Sequence, residues 1–253
     1  MAPVEKYPPE MLDGISLVAP PRPFATNPMT PLKNVGAGWV AVVPYGFARL
    51  NDPQVRYNQF GGQWWGERPA GYQKTIEIAQ QNDMKVMLKP QIYIPGSWPG
   101  DIKFSTEADW RAWERSYEEF ILPMAAAAAE RGVELFCIGT EFKTSSIKRE
   151  QFWRNLIKKI RKSYGGKLTY AANWDEYQYI KWWDAVDYIG VDAYFPLVAD
   201  ASPSLSKIKA AWLPHLYAIK RVQSRFDRPV IFTEYGYLSV DHCASKNWLL
   251  EKK

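Results

Sequence analysis

Two short runs, "LFCIGTEFKT" from Leu135 to Thr144 and "VIFTEYGY" from Val230 to Tyr237, both pass from continuous apolar character into Thr-Glu. A carboxylate that ionises near pH 4 is a poor core residue, so the end of a buried strand is an unfavourable place for one. Two such endings in one chain predict that Glu141 and Glu234 meet in space as a paired-carboxylate site.

Working outward from these runs, five more apolar segments share their length and character: "GISLVAP" from Gly14, "WVAVVPYGF" from Trp39, "KVMLKPQIYI" from Lys85, "KLTYAANW" from Lys167 and "YIGVDAYF" from Tyr188. Near-continuous apolar character over four to eight residues is the mark of a strand buried on both faces, as in a parallel sheet. Amphipathic helical patterns separate them, over 71–83, 107–132, 149–166 and 204–226. The alanine run from Ala125 reads as a closely packed piece of the second helix. Strands and helices alternating in this way, with no glycine fingerprint for a dinucleotide, predict an α/β fold, a (β/α)8 TIM barrel occupying 14–253 behind an N-terminal tail of 1–13. Sixteen residues follow Tyr237, room for a loop and a piece of helix. The expectation is therefore a barrel lacking its eighth strand or truncated there, with edges on the first and seventh strands through which oligomerisation is possible.

Composition narrows the function. The 253 residues are 47% hydrophobic and 23% charged, and the net charge of +5 is dispersed except in "IKKIRK" (Ile157–Lys162). That cluster reads as the solvated face of a helix, so no nucleic-acid partner is expected. Two cysteines, Cys137 and Cys243, and two histidines, His215 and His242, form neither a disulfide framework nor a metal-ligand pattern, and no cofactor or metal is expected. No apolar stretch approaches the ~18 residues of a transmembrane segment. The N-terminus lacks a signal-peptide pattern, so a secreted, periplasmic or cell-surface location would require a leader already removed. Aromatic residues make up 15% of the chain, with 12 Trp. Trp64 and Trp65 in "GGQWWGERP" and Trp98 in "GSWPGD" lie among turn residues, where indoles suit the flat apolar faces of sugars.

In such a barrel the chemistry gathers at the C-terminal ends of the strands. Strand alternation places Glu141 on one face with Gly139, Cys137 and Leu135, and Glu234 with Phe232 and Val230. Two carboxylates over a barrel mouth suit glycoside hydrolysis, where one protonates the leaving oxygen and the other attacks the anomeric carbon. Tyr194 and Tyr235 are candidate donors that would keep one carboxylate ionised. Lys89 and Gln91 share a face with Met87 and Tyr93. The lysine either bonds sugar hydroxyls or is buried against Asp192 or a catalytic glutamate. Asp192 and Tyr194 share a face with Gly190, while Asn173 and Trp174 end the fifth strand as a hydroxyl contact and a stacking platform, or else as loop packing. The competing reading of the two glutamates is a pair of barrel-top salt bridges.

The runs "VMLKPQIYIPGSWPGDIKF", "ELFCIGTEF", "YIGVDAYFPL" and "VIFTEYGY" resemble glycoside hydrolase family 113, over Gly14 to Trp248. The resemblance implies a clan A barrel with retaining endo-β-1,4-mannanase activity, Glu141 as acid/base and Glu234 as nucleophile. Two departures stand out. Thr140 occupies the position where the clan commonly has Asn, which implies a different contact to the sugar 2-hydroxyl, and the tryptophan usual on the eighth strand has no counterpart. The substrate expected is a mannan-type polysaccharide or oligosaccharide. The alternative is a carbohydrate-binding pseudo-enzyme with the same cleft, inactive because its barrel is incomplete. An aldolase-like barrel would need a Schiff-base lysine, for which Lys89 is the one strand-end candidate, and it would leave both glutamates unexplained.

Overall fold

The computed structural model describes residues 11–58 and 62–252. Most of the expected N-terminal tail, residues 1–10, lies outside them, as does Gly61 of the first tryptophan-bearing loop. In chain order the strands are β1 (Gly14–Val18), β2 (Trp39–Val43), β3 (Tyr45–Arg49), β4 (Asp52–Arg56), β5 (Lys85–Leu88), β6 (Gln91–Tyr93), β7 (Leu135–Thr140), β8 (Lys167–Asn173), β9 (Tyr188–Asp192) and β10 (Val230–Glu234). The helices are α1 (Met29–Asn34), α2 (Pro69–Gln81), α3 (Glu107–Glu130), α4 (Lys143–Lys148), α5 (Glu150–Ile160) and α6 (Leu205–Phe226). The four longest are the four expected from periodicity. Their ends follow local chemistry: Pro69 occupies the first turn of α2, Thr106 caps α3 by accepting from the Asp109 N–H, and α6 stops at Asp227 in a left-handed conformation.

Seven strands form one parallel sheet in the order β1-β2-β5-β7-β8-β9-β10, which takes in all seven apolar runs. The sheet curls. Its concave face is lined by a small cluster, Ala41, Val43, Met87, Leu135, Cys137 and Ala171, ringed by Trp39, Tyr45, Tyr188 and Ile231. Its convex face, with Val40, Val86, Phe136, Leu168, Ile189 and others, packs against the helices in the main core. The alanine run behaves as expected, with Ala125, Ala127 and Ala128 buried on α3. Among the described residues β10 pairs with β9 alone and β1 with β2 alone. The residues after β10 include a short 3-10 helix, Asn247–Lys252.

Two of the apolar runs hold two strands each. Pro44 and Pro90 lack the N–H a ladder needs, so β2 and β5 end there, and β3 and β6 continue upward as a second, three-stranded sheet with β4. The pairing offset survives the interruption: Trp39 lies opposite Lys85 below it, and Tyr45 opposite Gln91 above it. This second sheet forms a wall above the barrel mouth.

The alternation expected for the two glutamate strands is corrected by a bulge in each. On β7, Cys137 pairs with Thr169 but Thr140 with Ala171; on β10, Phe232 pairs with Val191 but Glu234 with Asp192. One extra residue in each strand reverses the phase just before the glutamate. Gly139 therefore faces Trp153 and Tyr170 on the helix side, and Phe232 stacks on Trp212 of α6 at 6.2 Å, rather than sharing a face with the carboxylates.

Gly190 on β9 lies where the sheet is most crowded: a Cβ there would come within 2.3 Å of the Tyr170 carbonyl oxygen and 2.6 Å of Thr169 Oγ1. Gly190→Ala is expected to destabilise the fold by about 1–3 kcal/mol in urea denaturation. Gly165→Ala, where the added carbon meets nothing within 4 Å, is expected to stay within about 0.5 kcal/mol.

Candidate active site

The convergence point is the end of β10. The Glu234 carboxylate receives the Lys89 ammonium on Oε1, together with Gln91 Nε2 at 2.8 Å, and the Tyr194 hydroxyl on Oε2 at 3.0 Å. Lys89 follows β5 directly, its N–H bonded to the Val42 carbonyl at 2.9 Å, and Gln91 opens β6 on the same face. Tyr194 lies two residues beyond β9. The donors thus come from three strand ends, and the bulge in β10 aims Glu234 among them.

Lys89 is fully buried and lies 3.7 Å from Asp192 Oδ2. Of its two readings, the geometry is that of the buried ion pair. Asp192 is also fully buried; Oδ1 accepts from Thr233 Oγ1 at 2.7 Å, while Oδ2 has no hydrogen bond. Burial opposes charge on Lys89, but the Asp192 and Glu234 carboxylates outweigh it and hold the ammonium protonated. Burial alone would raise Glu234; the charge and hydrogen bond of Lys89, with the bonds from Tyr194 and Gln91, bring it below the ordinary carboxylate range.

Glu141 has the opposite environment. It follows β7 with a left-handed φ of 57°, its N–H bonded to the Ala171 carbonyl at 2.8 Å. Its carboxylate accepts from the Trp98 indole N–H, and its proton affinity is pushed up to about 7, first by burial and then by the nearby negative charge of Glu234, against the lowering bond from Trp98. A cavity of about 220 Å³ opens beside it, lined by Tyr45, Gln91, Tyr93, Trp98, Thr140 and Glu141 among others. One carboxylate is held ionised and the other is disposed to hold a proton, which is the division that acid-and-nucleophile chemistry requires.

The remaining expected residues divide. Trp98 lines the cavity through its bond to Glu141, and Thr140 lines it from a buried position with Oγ1 4.0 Å from Cys137 Sγ. Asn173 is turned to Asp175 Oδ1 at 2.9 Å, and Trp174 stacks on Trp248 at 5.9 Å. Trp64 is 48% exposed, while Trp65 packs edge-on to Phe24. Tyr235 is corrected as a donor to Glu234: it is 71% exposed and lies against Phe232, because consecutive residues of an extended chain point to opposite sides. Reading the sequence passed over Tyr45, Thr233 and Glu176. Thr233 stands inside the quoted Thr-Glu pair; Tyr45 lies within the apolar run "WVAVVPYGF"; Glu176, in the loop after β8, gives no signal.

A curled parallel sheet bearing two interacting glutamates of opposite proton affinity at its strand ends defines a barrel of the glycoside hydrolase class. The chain belongs to Glycoside Hydrolase Family 113, whose family model matches residues 22–253. No curated protein sequence matches it. Among solved structures it is similar to the GH113 β-mannanase AaManA from Alicyclobacillus acidocaldarius, determined in complex with ManMIm, at 27% identity over 87% of this chain and 67% of that one, with a TM-score of 0.77. A GH113 β-1,4-mannanase, also determined as a complex, has the same fold at 23% identity, covering 94% of this chain and 76% of its own, with a TM-score of 0.78. A Ruminococcus gnavus β-glucuronidase shares the fold at 12% identity and a TM-score of 0.56, over 87% of this chain and 35% of its own.

Lys89→Met leaves the buried Asp192 and the half-buried Glu234 without their cation. A loss of about 3–5 kcal/mol is expected at pH 7. Burial already holds Asp192 well above the ordinary carboxylate range against the pull of Lys89; without the lysine it rises further and Glu234 rises with it, so the penalty is relieved as the pH falls and both take up protons. Urea denaturation of the variant at pH 7 and pH 5 should show a smaller deficit at pH 5; an equal deficit would mean that packing, not charge, is the loss.

Proposed function

We propose that the chain hydrolyses β-1,4-mannosidic, or related β-glycosidic, bonds in polysaccharide by double displacement with retention. The observation that carries the reading is the contrast between the two glutamates: Glu234 ringed by three donors, Glu141 half-buried with one. The ionised Glu234 attacks the anomeric carbon while the glycosidic C–O bond breaks, and the Glu141 proton passes to the leaving oxygen. Water then attacks the same carbon, Glu141 takes its proton, and the Glu234 carboxylate leaves. Trp98 and Tyr93 at the cavity offer aromatic surface to the sugar chain. The mannan preference is supported by the likeness to the β-mannanase from Alicyclobacillus acidocaldarius.

Glu234→Gln should lower kcat/KM by more than about 1,000-fold on every substrate. Glu141→Ala should lose about 100- to 10,000-fold on polysaccharide, yet retain kcat/KM on a dinitrophenyl glycoside whose leaving group needs no proton. The pH profile should be a bell whose alkaline limb falls near pH 7, where Glu141 loses its proton. Proton NMR of the first-formed product should show the β-anomer. An α-product would mean inversion, and oligosaccharide binding without release of reducing ends would favour the binding-only reading.

A further inference from the structure

The carboxylate of Glu176 is fully buried, yet it touches neither Glu234 nor the cavity. Its two oxygens meet donors only. Oε1 accepts from the Tyr170 hydroxyl at 2.7 Å and from Ser146 Oγ at 2.5 Å, and Oε2 accepts from the Asn173 N–H at 3.0 Å. Among the described residues no cation is paired with it. A buried carboxylate without a cation is a costly feature, and packing alone does not call for one.

Its partners converge on one place. The Tyr170 hydroxyl that donates to Glu176 accepts from the Phe142 N–H at 2.7 Å, and Phe142 is the residue after Glu141. Ser146 belongs to α4, the helix that starts two residues beyond Glu141, and its carbonyl is held in turn by the Trp182 indole at 2.9 Å. On the other side of the turn, the Glu141 N–H is tied to Ala171, the neighbour of Tyr170 on β8. A left-handed φ at a non-glycine residue persists only where its surroundings hold it, and these are the bonds that hold it.

We propose that Glu176 is the positioning residue for Glu141: through Tyr170 and Ser146 it anchors both the peptide and the helix that follow the proposed acid/base, and it stations a negative charge behind it. A glutamine would turn its N–H either toward the Asn173 N–H or toward the Tyr170 and Ser146 hydroxyls, which would then have to accept rather than donate; Ser146 Oγ has the Lys143 carbonyl at 3.2 Å to receive its proton. The charge acts in the expected direction. Burial is the largest influence raising Glu141, Glu234 adds to it, Lys89 opposes it and Glu176 adds a further increment. Lys143, the nearest cation along the chain, is taken by Asp175 at 2.5 Å. Burial pushes the proton affinity of Glu176 itself up to about 7, against the bonds from Ser146, Tyr170 and Asn173 and with a small addition from Asp192, so the charge it sets behind Glu141 is fully developed only above neutral pH.

The inference rests on the role proposed for Glu141, and its test has an arm that does not require activity. The Trp98 indole N–H donates to the Glu141 carboxylate, so its 15N–1H resonance, assigned with Trp98→Phe, reports the titration of Glu141. In Glu176→Gln that midpoint should move to lower pH by about 0.5 unit or more. In the kinetic arm, Glu176→Gln and Tyr170→Phe should each lower kcat/KM on mannan by about 10- to 100-fold. The same variants should stay within about 3-fold on a dinitrophenyl β-mannoside, whose leaving group needs no proton. Tyr170→Phe removes only the bridging hydroxyl and serves if the glutamine variant fails to fold. An unmoved midpoint, or equal losses on both substrates, would overturn the proposal. A parent chain inactive on both substrates would overturn the glycosidase reading instead, with the titration still deciding the role of Glu176.

Discussion

The buried ammonium of Lys89 is the interaction on which the rest of the site depends. It lies against Glu234 and within 3.7 Å of Asp192, with no exposed surface of its own. Taking one lysine and one carboxylate out of water is costly, and only close approach with further hydrogen bonds offsets the cost. Those bonds are present: Gln91 and Tyr194 complete Glu234, and Thr233 completes one oxygen of Asp192. The arrangement requires the ends of β5, β9 and β10 to come together, which an open, flat sheet would not achieve. The curl of the sheet and the charge balance of its mouth are therefore one constraint.

From that constraint the asymmetry of the two glutamates follows. The lysine and two neutral donors are spent on Glu234, leaving Glu141 with a single indole N–H and with the field of its partner. Backbone irregularity delivers each carboxylate. A bulge turns Glu234 inward, and a bulge followed by a left-handed residue does the same for Glu141. Prolines 44 and 90 detach the upper ends of β2 and β5 into a separate sheet without disturbing register, so that Gln91 and Tyr93 stand above the barrel as part of the cleft.

Much of this was legible in the sequence because burial on both faces leaves a continuous apolar signature. All seven strands of the main sheet and the four long helices could be read that way, and so could the two glutamates, whose charge interrupts the pattern. Side-chain direction was less legible. Period-two alternation assumes an unbroken ladder, and the extra residues in β7 and β10 sit where that assumption fails, so Gly139 and Phe232 were assigned to the wrong face. Tyr194 is a donor to Glu234 and Tyr235 is not, because Tyr235 directly follows Glu234 in extended chain and points to the opposite side. Glu176 is invisible because a glutamate in a polar loop looks solvated; it is held by Ser146 and Tyr170, whose sequence surroundings point to no carboxylate.

The central claim is that Glu234 is the nucleophile because its donors keep it ionised. It is tested most directly by incubating the chain with a 2-deoxy-2-fluoro-β-mannosyl fluoride, in which fluoride leaves without protonation and the fluorine slows breakdown of any covalent intermediate. Mass spectrometry of the intact chain and of its peptides should find one fluoromannosyl group, on the peptide containing Glu234. A label on Glu141, or a substrate that is turned over with no adduct at all, would contradict the account.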